Sequence, residues 1–214
     1  MKPPVVVTFA RPEESGAFRG KLAVLRMGRC GPLPAWRGLV GETEVTVIHT
    51  GIGPRAAERA IREVIESEKP CKVISAGFAG GLDPALRVGD TLVSESVSVI
   101  LSREIPLETP EQKAAAFRET GARLVDMETS VIAAACAAAG IPFVAIRAVS
   151  DSADEPLPVP FQFWFDVKRQ RPRPFALVGF LLRRPSRAVP FARFVMRLPR
   201  VAEALAGAIG NALR

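Results

Sequence analysis

Residues 124–158, LVDMETSVIAAACAAAGIPFVAIRAVSDSADEPLP, constrain the chain more than any other stretch. Residues 129–139 hold six alanines and one cysteine, with no charge and no proline. Alanine is the best helix former and needs little room, so the pattern predicts a helix that can be buried on most sides and lie close against a sheet. Gly140 supplies a stop signal, and Ile141-Pro142 turns the chain into Phe143-Val144-Ala145-Ile146, an apolar run of strand length. A short strand before the helix and a second strand after it make an α/β unit. Glu128 stands at the start of the helix, and Ser150-Asp151 stands where the second strand should give way to loop. In an open α/β sheet, ligands bind beyond the carboxyl ends of strands, so these carboxylates are a candidate acid and anchor at one sheet edge. The alternative is structural: Glu128 complements the helix dipole, Asp151 caps a turn and Asp154 is one more loop acid.

The flanking sequence supplies further α/β units. Val5-Val6-Val7-Thr8-Phe9 reads as a buried strand, followed by Arg11-Pro12-Glu13-Glu14. Those two acids serve either a site or the first turn of a helix that opens at Pro12. Residues 21–27 and 44–50 read as strands separated by a Pro/Gly-rich connector, residues 28–41. Gly51-Ile52-Gly53-Pro54-Arg55-Ala56 matches G-x-G-x-x-A between a strand and a helix, a dinucleotide-type fingerprint. A ribose-binding acid is wanted about 20 residues on, yet that strand, residues 72–76, runs into Ser75-Ala76-Gly77, which disfavours a NAD-type binder. Gly77, Phe78, Ala79 and Gly80 form a glycine-rich strand exit where a ligand could approach the backbone and N–H groups could cradle an anion. A turn over residues 82–90, a long strand over residues 91–101, and a helix capped by Thr109 and ended by Gly121 complete the reading.

Two blocks carry a family resemblance. D-M-E, a small-residue helix and a strand ending R-x-x-S-D-x-A-D form one; TGIGPRAAERAI followed by SAGFAGGLDPALRVGDTLVSES forms the other. In that order they resemble the purine nucleoside phosphorylase and methylthioadenosine/S-adenosylhomocysteine nucleosidase superfamily. The resemblance implies a nucleoside phosphorylase-like fold: α/β, a three-layer α/β/α sandwich around a mixed central sheet, with residues 1–214 as a single domain. It implies cleavage of a purine nucleoside's N-glycosidic bond, with Asp151 as acid at the purine, oriented by Ser150 and raised toward neutrality by burial. Glu128 would grip the ribose with Met127 packed under the sugar, and Glu14, with Glu13 as runner-up, would activate water. Gly77, Phe78, Ala79 and Gly80 would lie beside the ribose. Ser75 and Phe78 stand where the phosphorylases hold phosphate with an arginine and a serine; Arg55, Arg11 and Arg147 are substitutes for that arginine, or partners in structural ion pairs. Phe78, Phe143 or a C-terminal Phe would stack on the base. No cofactor is implied, phosphate being a candidate co-substrate. A non-catalytic nucleoside binder on the same fold is the competing class.

The rest of the chain sets bounds. At 214 residues and 48% hydrophobic content, a sizeable single core is expected. Three scattered cysteines (Cys30, Cys71, Cys136) and one histidine (His49) offer no metal or disulfide spacing, and no metal is expected. With no signal pattern at the N-terminus and no apolar run near the roughly 18 residues of a membrane span, a cytoplasmic protein is expected. Net charge is +7, yet residues 161–214 carry eleven Lys/Arg against Asp166 and Glu203, leaving residues 1–160 slightly acidic. No nucleic-acid signature accompanies that basic tail. It combines LLRRP with apolar runs, as expected of surface helices at anionic headgroups, and residues 201–213 read as a closing helix. This tail, and the insert IPLETPEQKAAAFRETGARLV, are similar to hopanoid-associated phosphorylases, which implies a lipid-linked purine nucleoside as substrate and contact with the inner membrane periphery. The alternative is that the tail completes the core and a dimer face; a dimer or higher homo-oligomer is expected on either reading.

Overall fold

The computed structural model describes residues 3–214. Its framework is a parallel set of strands: β1 (Val5–Phe9) lies between β4 (Thr43–His49) and β5 (Lys72–Gly81), and β5 pairs in turn with β9 (Phe143–Asp151). Antiparallel additions make the sheet mixed. β2 (Ala23–Cys30) and β3 (Leu33–Val40) extend it beyond β4, β6 (Thr91–Ser94) pairs with β9, and β8 (Leu124–Asp126) takes the last residues of β5 before pairing with β7 (Ile100–Ser102). Alternation then sorts side chains to two faces. Val7, Phe9, Ile74, Ala76 and Ile146 meet α1 (Pro12–Arg19) and the last half of α6 (Ala188–Ala212). On the other face, Val6, Ile48 and Val73 meet α2 (Pro54–Glu68) and α4 (Thr129–Ala138) through Ala57, Ile61, Val64, Ile132 and Cys136. The three-layer sandwich with a mixed sheet is therefore the observed architecture; the small-residue helix α4 lies against the sheet through Ile132 and Cys136, while Ala134, Ala137 and Ala138 are exposed, so it is buried on one side and not on most sides. α3 (Pro110–Thr120) covers the β5–β8 junction, and its Thr109 cap and left-handed Gly121 stop stand where the sequence puts them.

Three local expectations fail. Residues 28–41 are not a connector: Gly31, at φ +52°, turns β2 into β3, and Pro34 is tolerated near the start of that strand. The long strand over residues 91–101 breaks after Ser94, because Ser94 and Ser96 hydroxyls accept from the backbone of Ser96 and Ser98 and form a short 3₁₀ turn in place of a ladder. Residues 77–81 do not leave the sheet; β5 runs to Gly81 because β9 and β8 both offer it partners.

The tail divides at Pro199, inside α6. Beyond it Val201, Leu205, Ala206 and Ile209 are buried in the core, so the closing helix is integral. Before it, α5 (Pro174–Arg183) and the first half of α6 are mostly exposed. A two-residue antiparallel pair, β10 (Phe165–Asp166) with β11 (Arg171–Pro172), leads into α5. Leu205→Ala is expected to lower the unfolding free energy by about 2–5 kcal/mol, the usual range for a buried leucine. Urea unfolding of the full chain measures it, and an unchanged midpoint would mean that α6 is not part of the core.

Candidate functional site

The strand ends deliver side chains to one cavity of about 290 Å³. Its walls include Glu14, Phe78, Ala79, Gly80, Met127, Glu128, Ser150 and Asp151, all singled out in the sequence. Gly77 lies beneath them, in a second chamber of about 10 Å³ that Glu14, Glu128, Thr50, Ser75 and Arg147 also line.

Each carboxylate is held by backbone geometry. Glu14 sits in the first turn of α1, where it accepts from the N–H of Arg11 and, across the sheet edge, from the N–H of Phe78, both at 2.9 Å. The close approach requires Gly77, since a Cβ there would lie 3.1 Å from Glu14 Oε1. Burial pushes the Glu14 carboxyl up, against the pull of those N–H donors. Glu13 is instead half-exposed and paired with Arg11 at 2.6 Å, whose hydrogen bonds hold its carboxyl down. Both readings of this turn therefore apply: Glu13 pairs at the surface while Glu14 serves the helix start and the cavity together.

Glu128 accepts from the N–H of Gly53 at 2.6 Å. Gly53 adopts φ +91°, ψ +163°, a conformation essentially reserved for glycine. The G-x-G-x-x-A turn thus spends its second glycine N–H on a protein carboxylate. Burial, with Asp126 and then Glu14 as like charges, pushes the Glu128 carboxyl up to about 8. Met127 packs on Ile52 and Phe165 below it.

Asp151 arrives through a β-bulge. The β5–β9 register shifts after Ala79/Val149, so that Gly80 pairs with Asp151 and one residue of β9 is left over. Regular alternation would send Ser150 and Asp151 to opposite faces; the bulge lets both line the cavity. Ser150 Oγ donates to Asp151 Oδ1 at 2.6 Å, and Gly80 leaves room for the carboxylate, since a Cβ there would lie 3.2 Å from Oδ2. That second oxygen meets a group the sequence reading missed. Lys113 of α3 is completely buried, and its Nζ donates to Asp151 Oδ2 at 2.6 Å and to the carbonyls of Ser152 and Glu155 at 2.7 Å. Asp151 is therefore one half of an ion pair and is not alone in an apolar pocket. The available signal was a lysine three residues before Ala116 on the inward face of a capped helix, a position lysine rarely takes unless paired.

Of the three arginines considered for an anion, Arg147 is buried and committed: Nε and Nη2 donate to Asp126 Oδ2, and Nη1 and Nη2 to Ser75. Arg11 pairs with Glu13 and lies 4.8 Å from the centre of the Phe165 ring, and Arg55 is exposed at the start of α2. Phe143 packs in the core, whereas Phe78, Phe161, Trp164 and Phe194 line the cavity. His49 is a packed imidazole, bonded to Ser15 at 2.8 Å, and burial pushes it down to about 4. Among the described residues no three His, Cys, Asp or Glu side chains group to hold a metal ion.

The sequence matches the family described as "Phosphorylase superfamily" over residues 4–99 and 96–176. The chain belongs to that superfamily. Among related proteins, 5'-methylthioadenosine/S-adenosylhomocysteine nucleosidase of Bacillus cereus is 26% identical, covering 76% of this chain and 91% of that one. The nucleosidase of the same name from Glaesserella parasuis is 24% identical over 68% and 84%. Among solved structures, the Neisseria meningitidis nucleosidase in complex with methylthio-immucillin-A superposes with a TM-score of 0.71 at 21% identity, covering 97% of both chains. Futalosine hydrolase of Helicobacter pylori gives 0.69 at 18%, covering 96% and 95%. These likenesses show that this superfamily member shares their fold.

Removing one partner of a buried ion pair leaves the other charge uncompensated. Lys113→Met is accordingly expected to destabilise the protein by about 3–5 kcal/mol. Denaturant unfolding against the unsubstituted chain measures the loss, and a change below about 1 kcal/mol would mean that Asp151 does not depend on this lysine.

Proposed function

We propose that the chain hydrolyses the N-glycosidic bond of a purine nucleoside, an adenosine with a 5′ substituent, and releases adenine. The observation that carries this reading is the convergence on one cavity of Glu14 from the first turn of α1, Glu128 from the turn between β8 and α4, and Asp151 from the end of β9. Breaking a ribosyl C–N bond builds positive charge on the sugar and negative charge on the departing purine, so acids are wanted on both sides of the bond. Asp151, a carboxylate held by Lys113 and Ser150, takes up a proton from solvent and passes it to the purine's imidazole nitrogen. Glu128 accepts from ribose hydroxyls and stabilises the cationic sugar, with Met127 packed beneath it. Glu14 takes a proton from the attacking water. Aromatic rings of Phe78, Phe161 and Trp164 give the base and the 5′ substituent apolar walls.

Water is favoured over phosphate as the nucleophile. The chamber between Glu14 and Glu128 is about 10 Å³, the scale of a single water. Arg147 beside it is already bonded to Asp126 and Ser75, which leaves a phosphate dianion no uncommitted cation among the residues lining the chamber. The two related proteins named above, both nucleosidases by name, point the same way. An apolar cavity wall reaching Phe194 and Leu198 of α6 suits an apolar 5′ group, and extends the substrate class to a lipid-linked adenosine.

Adenine release from 5′-methylthioadenosine is expected in phosphate-free buffer, and Asp151→Asn should lower kcat by about two orders of magnitude or more. Glu14→Gln should abolish release while nucleoside binding persists. Release only on adding phosphate would make the protein a phosphorylase, and binding without release in either buffer would make it a non-catalytic binder. A second outcome concerns pH. In the free protein the Glu128 carboxyl is protonated below about 8 and accepts fully from ribose only above it. Since kcat/KM reports groups of the free enzyme, it should rise with pH to a plateau with a midpoint near 8. Glu128→Gln should lose that limb, and a profile of unchanged shape in this variant would remove Glu128 from the mechanism.

A further inference from the structure

We propose that the outward face of α5 and of the first half of α6 docks on an anionic lipid bilayer. Phe175, Val178 and Leu182 recur at helical spacing on one side of α5, and Phe175 and Leu182 are 92% and 78% exposed. On α6, Val189 and Met196 share a side with Arg193 and Arg200, and Met196 is 78% exposed. The opposite side of the same turns carries Phe194 and Leu198 into the cavity wall. This stretch of α6 therefore has an inner side that is already used and an outer apolar side that covers nothing.

Charge selects the occupant. Arg183, Arg184 and Arg187 fill the junction between the helices, and among the described residues Arg197 is the one arginine from 171 to 200 that forms an ion pair with an acid. A second copy docked face to face would bring arginines against arginines, which argues against self-association. A nucleic acid would satisfy the arginines and leave Phe175, Leu182 and Met196 facing water or phosphate. An anionic bilayer satisfies both sets at once, with arginines at the headgroups and apolar side chains at the acyl boundary. Among the described residues no helix is long and apolar enough to cross a membrane, so the contact lies at the surface. The inference rests on the exposed helices and stands whether or not the cavity cleaves nucleosides.

Sedimentation of the full chain with vesicles tests it. Binding to phosphatidylcholine vesicles with one third phosphatidylglycerol is expected to exceed binding to pure phosphatidylcholine by about tenfold or more, and to fall in high salt. The triple variant Phe175→Ser, Leu182→Ser, Met196→Ser should lose that binding while keeping the thermal transition and adenine release from a soluble nucleoside. Should that variant misfold, Arg183→Gln with Arg184→Gln and Arg187→Gln alters exposed side chains only and should also reduce binding. No binding by the folded chain, undiminished binding in a folded variant, or a change in the variant from dimer to monomer instead of lost vesicle binding would each overturn the proposal. Adenine release that fails while vesicle binding persists would count against the nucleoside reading alone.

Discussion

The guanidinium of Arg147 is the contact on which the rest of the cavity depends. It is almost wholly buried on β9 and donates to Asp126 of β8, to Ser75 of β5 and to Thr129 at the start of α4. Those elements carry the turn to Glu128, the backbone that meets Glu14, and the bulge that presents Asp151. Taking an arginine and an aspartate out of water costs several kcal/mol per ion, and the pair is tolerated only when its remaining donors and acceptors find partners. Here they do: Asp126 Oδ1 accepts from Ser102, and its Oδ2 takes the arginine and both donors of Thr129. Slipping β8 against β9 would strand two buried charges, so the network fixes the register of the elements that frame the cavity.

Glycine placement does the complementary work. Gly77 and Gly80 stand three residues apart on β5, and each keeps open the space that a cavity carboxylate occupies. Gly53 offers an N–H from a backbone conformation other residues avoid. Glu14 and Glu128 are therefore held by main-chain donors that cannot relax away, a form of preorganisation in which the donors are in place before any ligand arrives.

Much of this was legible in the sequence, for identifiable reasons. The alanine-rich helix and the apolar strand after it have strong local propensity and a clear stop signal between them, and the acids at their ends fall on the sheet edge where α/β ligands bind. The strand β3 was hidden by its proline and glycines, and the break after Ser94 by β-branched residues on either side of it. Lys113 was missed because a lysine on a short helix reads as surface, and only the fold brings it to Asp151, 38 residues later. The two roles of the tail could not be assigned by composition, because both halves of α6 are rich in apolar residues; the sheet decides which half it covers.

The charge state of the cavity follows from its crowding. Glu14 and Glu128 flank one small chamber, with Asp126 close behind; burial raises Glu14, and burial together with repulsion from Asp126 and Glu14 raises Glu128 above ordinary carboxylates. Such a site resists added negative charge and is poorly disposed toward an anion. It is well disposed toward a group that becomes positive, because carboxylates that repel one another gain most from a cation placed between them. A ribosyl centre passing through a cationic transition state is such a group, and bulk phosphate is not. On the proposed reading, the preference for water over phosphate has the same physical origin as the elevated carboxyls themselves.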